Sequence, residues 1–203
     1  MIQKRIAELR KLMEAKGLAA YIIPSSDPHL SEYVAEHYKS RQWISGFTGS
    51  AGTVVITKED GGLWTDGRYY IQAEKELQNS GIRLFKAAEP RVPSYKQWLK
   101  EQLPPGSTVG FDGQVFSAKQ IKEMEEEFEG KISLKFDEDL IGQLWQDRPP
   151  LPAEKVFVHD VQYAGLTRGE KLARLRKEMQ RKGANVHLLT SLDDIAWLLN
   201  IRG

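Results

Sequence analysis

An α/β fold with a mixed β-sheet is predicted by three features of the 203-residue sequence. Apolar residues recur at helical spacing at the start of the chain, and short apolar runs bounded by turn residues alternate with helical segments further on. Two of the apolar runs are joined by a tight turn, which indicates an antiparallel hairpin. Because alternating strands and helices are typical of parallel pairing, both kinds of pairing are expected in one sheet.

The chain opens with a predicted helix and a buried strand. Apolar residues recur at helical spacing between Ile2 and Met13, and Gly17 is the residue type that commonly follows a helix C-terminus. Residues 19–23 form a short apolar run that ends at Pro24. A run of this kind fits a strand buried on both faces of a parallel or mixed sheet.

The following elements are predicted from β-branched runs and helix caps. Residues 53–57 give the clearest strand signal, and the turn 58–61 joins them to a second strand at 62–65. A helix from Tyr69 up to the turn residues 79–81 comes next, and further strands are predicted at 82–87, 109–112 and 132–136. Three capping boxes mark helix starts. They are Ser94 with Gln97, Ser117 with Gln120, and Thr167 with Glu170.

A proline-rich segment divides the chain into two predicted domains. Three prolines fall within the four positions 149–152, and such a run favours an extended, semi-rigid conformation. We therefore predict a first domain at 1–146, a linker at 147–154 and the beginning of a second domain at 155–203.

An internal repeat indicates that the segment after the linker is related to the start of the chain. A shift of 166 positions brings Gly17 onto Gly183 and aligns the two segments without gaps. The identical residues of the first copy are Ala7, Leu9, Arg10, Lys11, Met13, Lys16, Gly17, Ser25 and Asp27. The second copy is expected to contain one helix, one strand and a few more residues, as the truncated start of a similar domain. The alternative is two unrelated helix–strand units of similar composition.

The composition excludes several classes of function. The 29 basic and 28 acidic side chains leave a net charge of +1, so no overall field favours nucleic acid or an anionic membrane. The absence of cysteine excludes disulfides, thiolate metal sites and cysteine nucleophiles. No stretch approaches the roughly 20 apolar residues of a membrane span, and no secretory signal is evident. A cytoplasmic location is therefore expected.

Three patterns that suggest chemistry have simpler interpretations. The glycine-rich segment 46–52 precedes a strand, whereas phosphate loops precede a helix, so close backbone packing is favoured. Ser50 lacks the sequence frame of a nucleophile elbow. The histidines show no metal-ligand spacing, so no metal site is expected. They are His29, His37, His159 and His187.

Arg68 is the candidate site residue. It lies between a strand end and a helix start, with Asp66 predicted to cap the helix and Arg68 predicted to project from the first turn. A cation there is disfavoured by the helix dipole unless it has an anionic partner. Two interpretations are open: an ion pair with Asp66 or a nearby glutamate, or recognition of a carboxylate or peptide carbonyl by the guanidinium.

Several motifs, taken in order, closely resemble the long, three-domain Xaa-Pro aminopeptidases (aminopeptidase P). They are residues 20–29, 31–33, 45–53, 64–69, Leu144-Trp145 with Asp147-Arg148-Pro149, and 192–203. The resemblance implies a creatinase/prolidase-type N-terminal domain, in which helices cover both faces of a mixed sheet. It also implies a second domain of similar fold, in agreement with the repeat.

The same resemblance implies a function. In the family, a C-terminal domain holds two metal ions, usually manganese, through two aspartates, a histidine and two glutamates, and releases the residue preceding proline. None of those ligands is expected here, so no catalytic or metal-binding residue is assigned. Arg68 resembles the family position that helps to bind the peptide substrate. The family also uses this domain in dimer contacts and in limiting access to the active site, which implies a homodimer.

The chain is therefore interpreted as the non-catalytic N-terminal portion of a metal-dependent Xaa-Pro aminopeptidase, inactive alone. Xaa-Pro peptides are its expected partners, and neither nucleic acid nor membrane is. Two alternatives stay open: a stand-alone peptide- or protein-binding module, and a fragment of a prolidase or creatinase relative.

Overall fold

The computed structural model describes all 203 residues and divides them into two compact units. Unit 1 contains Met1–Pro28 and Val34–Pro150, and unit 2 contains His29–Tyr33 and Leu151–Gly203. No helix combines the length and the apolar character that crossing a membrane requires.

Unit 1 is built on a six-stranded sheet. Its strands are β1 (Ala20–Pro24), β2 (Thr53–Thr57), β3 (Gly61–Thr65), β4 (Arg83–Lys86), β5 (Ser107–Phe111) and β6 (Ile132–Lys135). The spatial order is β4-β3-β2-β1-β5-β6. β2 runs antiparallel to both β1 and β3, and the other three pairings are parallel. The predicted mixed sheet, its hairpin and all six strands are thereby confirmed.

Six helices accompany this sheet. They are α1 (Ile2–Ala15), α2 (Ser40–Ser45), α3 (Tyr70–Glu76), α4 (Tyr95–Gln102), α5 (Ala118–Phe128) and α6 (Leu140–Leu144). In the capping boxes of α4 and α5, each serine accepts a hydrogen bond from the N3 backbone while the N3 glutamine side chain accepts one in return. These bonds satisfy backbone N–H groups that have no partner within the helix. Both predicted helix starts are thereby confirmed.

Apolar side chains form a core on each face of the sheet. One core contains Leu9 of α1 and Leu63 of β3, and the other contains Val109 of β5 and Phe128 of α5. β1 contributes to both, because successive side chains of a strand point to opposite faces. The four residues from Ala20 to Ile23 are all buried, which confirms the predicted two-sided burial of this strand. Helices therefore cover both faces, as the family resemblance implies.

Unit 2 contains the second copy of the repeat. Its elements are β7 (Phe157–Val158), α7 (Val161–Ala164), α8 (Arg168–Arg181), α9 (Leu192–Leu199) and β8 (Ile201–Arg202), with β7 and β8 antiparallel. α8 has the same 14-residue length as α1 and starts at the third predicted capping box. Gly17 and Gly183 follow the two helices at φ +69° and +66°. The repeat thus holds for the helix and its C-terminal turn.

The strand expected after Gly183 does not form. The repeat places it at 186–190, a segment without regular secondary structure in which Val186 and Leu188 are 81% and 82% exposed. In unit 1 the equivalent strand is hydrogen-bonded to β2 on one side and β5 on the other. Residues 186–190 have no strand on either side, and a single strand cannot satisfy its backbone groups by itself.

A buried lysine joins the helices of unit 2. Lys171, on α8, is 3% exposed, and its Nζ donates to the carbonyl of Trp197 at 2.7 Å and to Oδ1 of Asn200 at 2.6 Å. The amide of Asn200 donates in turn to the carbonyl of Leu166 at 2.8 Å. The bond to Trp197 satisfies a backbone carbonyl near the end of α9, and the bonds through Asn200 fix that end against the start of α8.

Candidate functional site

The candidate site lies at the end of the sheet where β3 finishes and β2 begins. The hydroxyl of Thr65, the last residue of β3, donates a hydrogen bond to the carbonyl of Ala51 at 2.6 Å. The turn 66–69 and the glycine-rich segment 46–52 therefore lie side by side, although no sequence pattern links the two.

Arg68 and Asp66 form a two-point ion pair in this turn. Nε and Nη2 of Arg68 donate to the two carboxylate oxygens of Asp66 at 2.9 and 2.8 Å. The hydrogen bonds from Arg68 hold the pKa of Asp66 below its ordinary value, and the same pairing raises the pKa of Arg68. The arginine side chain is 69% exposed, and its Nη1 donates no hydrogen bond to the protein. The pair therefore orients a guanidinium that keeps a free donor edge.

The predicted cap and the predicted position of Arg68 are both wrong. α3 begins at Tyr70 with Tyr69 at the N-cap, and no side chain caps it. Asp66 instead accepts from the backbone N–H of Arg68 at 3.1 Å, two residues along the chain. Aspartate commonly closes a turn in this way, and that turn comes before the helix starts. Arg68 thus precedes α3 rather than projecting from its first turn.

Tyr69 connects Arg68 to the glycine-rich segment. Its hydroxyl is 2.7 Å from the hydroxyl of Ser50, and its ring lies 5.2 Å from the Arg68 guanidinium. The hydrogen bond with Ser50 is the largest cause of a lowered pKa of the Tyr69 phenol; the charge of Arg68 acts in the same direction and that of Asp66 opposes it. Ser50 therefore serves here as a hydrogen-bond partner of Tyr69.

Arg41, on α2, is a residue that the sequence reasoning missed. Its side chain is 5% exposed, with Nε donating to the hydroxyl of Ser25 at 2.8 Å and Nη1 to the carbonyl of Phe47 at 2.7 Å. Nη2 donates to the carbonyl of Gly49. Burial lowers the pKa of Arg41 to about 10. This arginine holds the segment that faces Tyr69.

Arg41 lies on the buried face of α2, a helix of 6 residues that is too short to show this face as a sequence pattern. It stands three and four positions before Ile44 and Ser45, so all three share one face of α2, and both later residues are fully buried. A charged residue on the buried face of a short helix indicates a specific set of hydrogen bonds.

The glycine-rich segment packs as closely as predicted. A Cβ atom at Gly49 would overlap the ring of Phe47 and lie 2.7 Å from the ring of Tyr69. At Gly52 it would lie 3.1 Å from the side chain of Leu63. Position 49 therefore accepts only glycine without movement of its neighbours, and the predicted packing role is confirmed.

Glu76 fixes the outer part of the same segment. Its carboxylate accepts from the N–H and hydroxyl of Thr48 at 2.8 and 2.6 Å, and from Gln72 at 3.1 Å. Partial burial alone would raise the pKa of Glu76, but the hydrogen bonds from Thr48 and Gln72 and the charge of Arg41 outweigh it. The pKa of Glu76 is accordingly lowered, and its ionised form stabilises the folded state.

Glu76 should make unit 1 sensitive to acid. The folded-state pKa of Glu76 lies below the ordinary 4.5. The stability that its ionised carboxylate contributes is therefore complete above pH 4.5 and is lost as the pH falls through the folded-state pKa. We expect Glu76→Gln to lower the unfolding free energy near neutral pH, with the difference from wild type narrowing below about pH 4.5. Urea unfolding across pH 3–7 measures this. Glu59→Gln, at an exposed site in the β2–β3 turn, is the control, and a pH-independent difference for Glu76→Gln would contradict the prediction.

The side chains present do not fit a metal centre. No group of three or more histidine, cysteine, aspartate or glutamate residues is placed to hold a metal ion. His37 and His29 instead have Nδ1 atoms 2.7 and 3.2 Å from the carbonyls of Pro149 and Thr190. The two metal ions implied by the family resemblance thus have no site among these residues.

Two family models match the chain, at residues 5–142 and 147–203, and both are described as the creatinase/prolidase N-terminal domain. Curated relatives match almost all of it. Aminopeptidase P2 of Arabidopsis thaliana is 42% identical over 100% of the chain and 29% of its own length. The probable Xaa-Pro aminopeptidase P of Talaromyces marneffei is 43% identical over 98% of the chain and 31% of its own length. The chain thus spans about a third of these relatives.

Solved structures show the same relationship. The X-prolyl aminopeptidase of Caenorhabditis elegans, described as a cytosolic enzyme with a di-nuclear active site, superposes with a TM-score of 0.90 at 34% identity, over 100% of this chain and 35% of that one. The Xaa-Pro dipeptidase of Bacillus anthracis shares the fold, with a TM-score of 0.54 at 22% identity, over 71% of this chain and 36% of that one. The chain therefore belongs to the creatinase/prolidase N-terminal domain family.

Proposed function

We propose that the chain is the non-catalytic N-terminal portion of a metal-dependent Xaa-Pro aminopeptidase, which releases the residue preceding proline at the N-terminus of a peptide. The observation that carries this proposal is similarity over essentially the whole chain to aminopeptidase P relatives, at 39 to 43% identity. Residues 155–203 are proposed to open a second domain of similar fold. Their match to a creatinase/prolidase N-terminal model and the shared helix geometry of α1 and α8 support this.

Arg68 is proposed to bind the peptide substrate. The support is geometric: Asp66 and the ring of Tyr69 orient the guanidinium, and the Nη1 edge stays available to a ligand. A planar, charged donor of this kind is suited to a peptide carbonyl or a terminal carboxylate. The ion pair and the substrate contact, which the sequence left as alternatives, are thus compatible in one arrangement.

The remaining features of the proposal concern the whole enzyme. Two divalent metal ions, with manganese expected, would be held by the catalytic domain, and the enzyme would be a cytoplasmic homodimer in which this portion contributes to substrate access and dimer contacts. The worm enzyme, which is described as cytosolic and di-nuclear, supports the metal content and the location. The homodimer and the control of access are motivated by the family resemblance.

The whole-chain match favours an aminopeptidase over a prolidase relative. The curated relatives that match 98 to 100% of the chain at 39 to 43% identity are aminopeptidase P2 and Xaa-Pro aminopeptidase P proteins. The worm X-prolyl aminopeptidase likewise superposes over 100% of the chain at 34% identity.

The 203-residue chain alone should not cleave Xaa-Pro peptides. We expect no product from a peptide with proline at its second position when the purified chain is incubated with Mn²⁺, as followed by mass spectrometry. A mock purification from host cells that lack the gene is the control for contaminating host peptidase. Cleavage by the wild-type chain that this control does not reproduce would contradict the proposed non-catalytic role.

A further inference from the structure

Arg41 is a buried cation whose hydrogen bonds all go to neutral groups. Its three nitrogen atoms donate to Ser25 Oγ and to the carbonyls of Phe47 and Gly49. A buried guanidinium loses its hydration, and here three oriented dipoles replace it without a carboxylate contact. Because the guanidinium is planar, one side chain fixes two carbonyls of the same segment in a single orientation.

Two routes of direct contact lead from Arg41 to Tyr69. In the first, Gly49 is held by Arg41, and the next residue, Ser50, lies within 2.7 Å of the Tyr69 hydroxyl. In the second, the Phe47 ring lies 4.7 Å from the Arg41 guanidinium and meets the Tyr69 ring edge-on at 5.9 Å. The hydroxyl and the ring of Tyr69 are thus both constrained by groups that Arg41 holds.

Tyr69 in turn constrains Arg68. Its ring lies 5.2 Å from the Arg68 guanidinium. The same guanidinium forms a two-point ion pair with Asp66. The ion pair alone is exposed, and exposed pairs of this kind hold a side chain only weakly. A fixed aromatic face beside the guanidinium limits the orientations that the exposed pair allows.

We propose that Arg41 is a positioning residue for Arg68: it fixes residues 47–50, these hold Tyr69, and Tyr69 holds the guanidinium of Arg68. The consequence for peptide binding rests on the proposed function of Arg68. The positioning of Tyr69 by Arg41 rests on the geometry of unit 1 alone, so the two parts can be tested separately.

The titration of the Tyr69 phenol tests the positioning. In the 203-residue chain with ¹³Cζ-labelled tyrosine, NMR should give a Tyr69 midpoint below the ordinary value of 10, and Tyr69→Phe assigns the signal. Arg41→Met should move this midpoint upward, because the Ser50 hydroxyl is no longer held in place and because a positive charge that interacts with the phenolate is lost. Arg41→Lys keeps the charge and therefore tests the positioning by itself. This variant should also move the midpoint, since an ammonium cannot bind both carbonyls as a planar fork does.

Arg10→Met is the matched control. Nε and Nη2 of Arg10 donate to the carbonyls of Thr57 and Asp60 at 2.9 and 3.1 Å, at the other end of β2. This variant also loses an arginine that binds two backbone carbonyls, but it should leave the Tyr69 midpoint unchanged. Arg41→Lys decides the question if Arg41→Met does not fold. An unchanged Tyr69 midpoint in a folded Arg41→Lys variant overturns the proposal, and so does an equal shift in Arg10→Met.

A second measurement separates this inference from the proposed function. In the complete polypeptide, Arg41→Lys should raise the KM for an Xaa-Pro peptide on the order of tenfold with kcat nearly unchanged, because a misplaced binding group weakens substrate binding. If Arg41→Lys shifts the Tyr69 midpoint while Arg68→Ala leaves the KM unchanged, the positioning is supported and the proposed substrate contact is contradicted. An unchanged midpoint would overturn the positioning whatever the peptidase assay gives.

Discussion

Replacing Arg68 with alanine in the complete polypeptide is expected to raise the KM for an Xaa-Pro peptide at least about tenfold, with kcat little changed. A hydrogen bond from a charged donor contributes about 1.5–3 kcal/mol, and each 1.4 kcal/mol corresponds to a factor of about ten. Because the proposed contact binds the peptide without taking part in the chemical step, it should be equally strong in the bound substrate and in the transition state. Loss of such uniform binding raises KM and leaves kcat unaffected.

Arg83→Ala is the matched control for this experiment. Arg83 is also an exposed arginine paired with an aspartate, Asp60, and that pair lies at the opposite end of β3 from Arg68. Its removal should leave KM within about twofold of wild type, since exposed ion pairs contribute little. An equal change of KM in both variants, or an unchanged KM in both, would contradict the proposed role of Arg68 in substrate binding.

The largest stability loss is expected from Arg148→Met. Arg148 is 14% exposed, pairs with Asp139 through Nη1, and donates from Nε to the carbonyl of His37 at 2.7 Å. Asp139 also caps α6 by accepting from the N–H of Gly142 at 2.8 Å. Removing the arginine leaves a partly buried carboxylate without its cation and the His37 carbonyl without its donor, which should cost about 3 kcal/mol of unfolding free energy.

Urea unfolding followed by tryptophan fluorescence measures this loss, since four of the five tryptophans belong to unit 1. Lys11→Met provides the comparison, because the Lys11–Glu8 pair is exposed and should contribute little. If Arg148→Met loses no more unfolding free energy than Lys11→Met, the stabilising role assigned to the Arg148–Asp139 pair is contradicted.

Local sequence signals were sufficient for most of the elements in unit 1. Capping boxes are fully specified within four residues, so Ser94 and Ser117 marked α4 and α5 correctly. The buried run ending at Pro24 was long enough to predict β1. The short helices α2 and α6, of 6 and 5 residues, were not predicted, because a helix of that length shows too little periodicity.

The missed features depend on contacts between distant residues. β1 pairs with β5 across an intervening hairpin and several helices, and no local pattern specifies that neighbour. The burial of Arg41 arises because segment 47–49 folds over it, which the sequence of α2 alone does not report. The absent strand at 186–190 has the same explanation, since strand formation requires a partner as well as an apolar run.

The most direct test of the proposed activity compares two peptides that differ only at the second residue. The complete polypeptide, supplied with Mn²⁺, should release the N-terminal residue from Ala-Pro-Ala and leave Ala-Ala-Ala essentially intact, as identified by mass spectrometry. Release from neither peptide, or equal release from both, would contradict the assignment to an Xaa-Pro aminopeptidase.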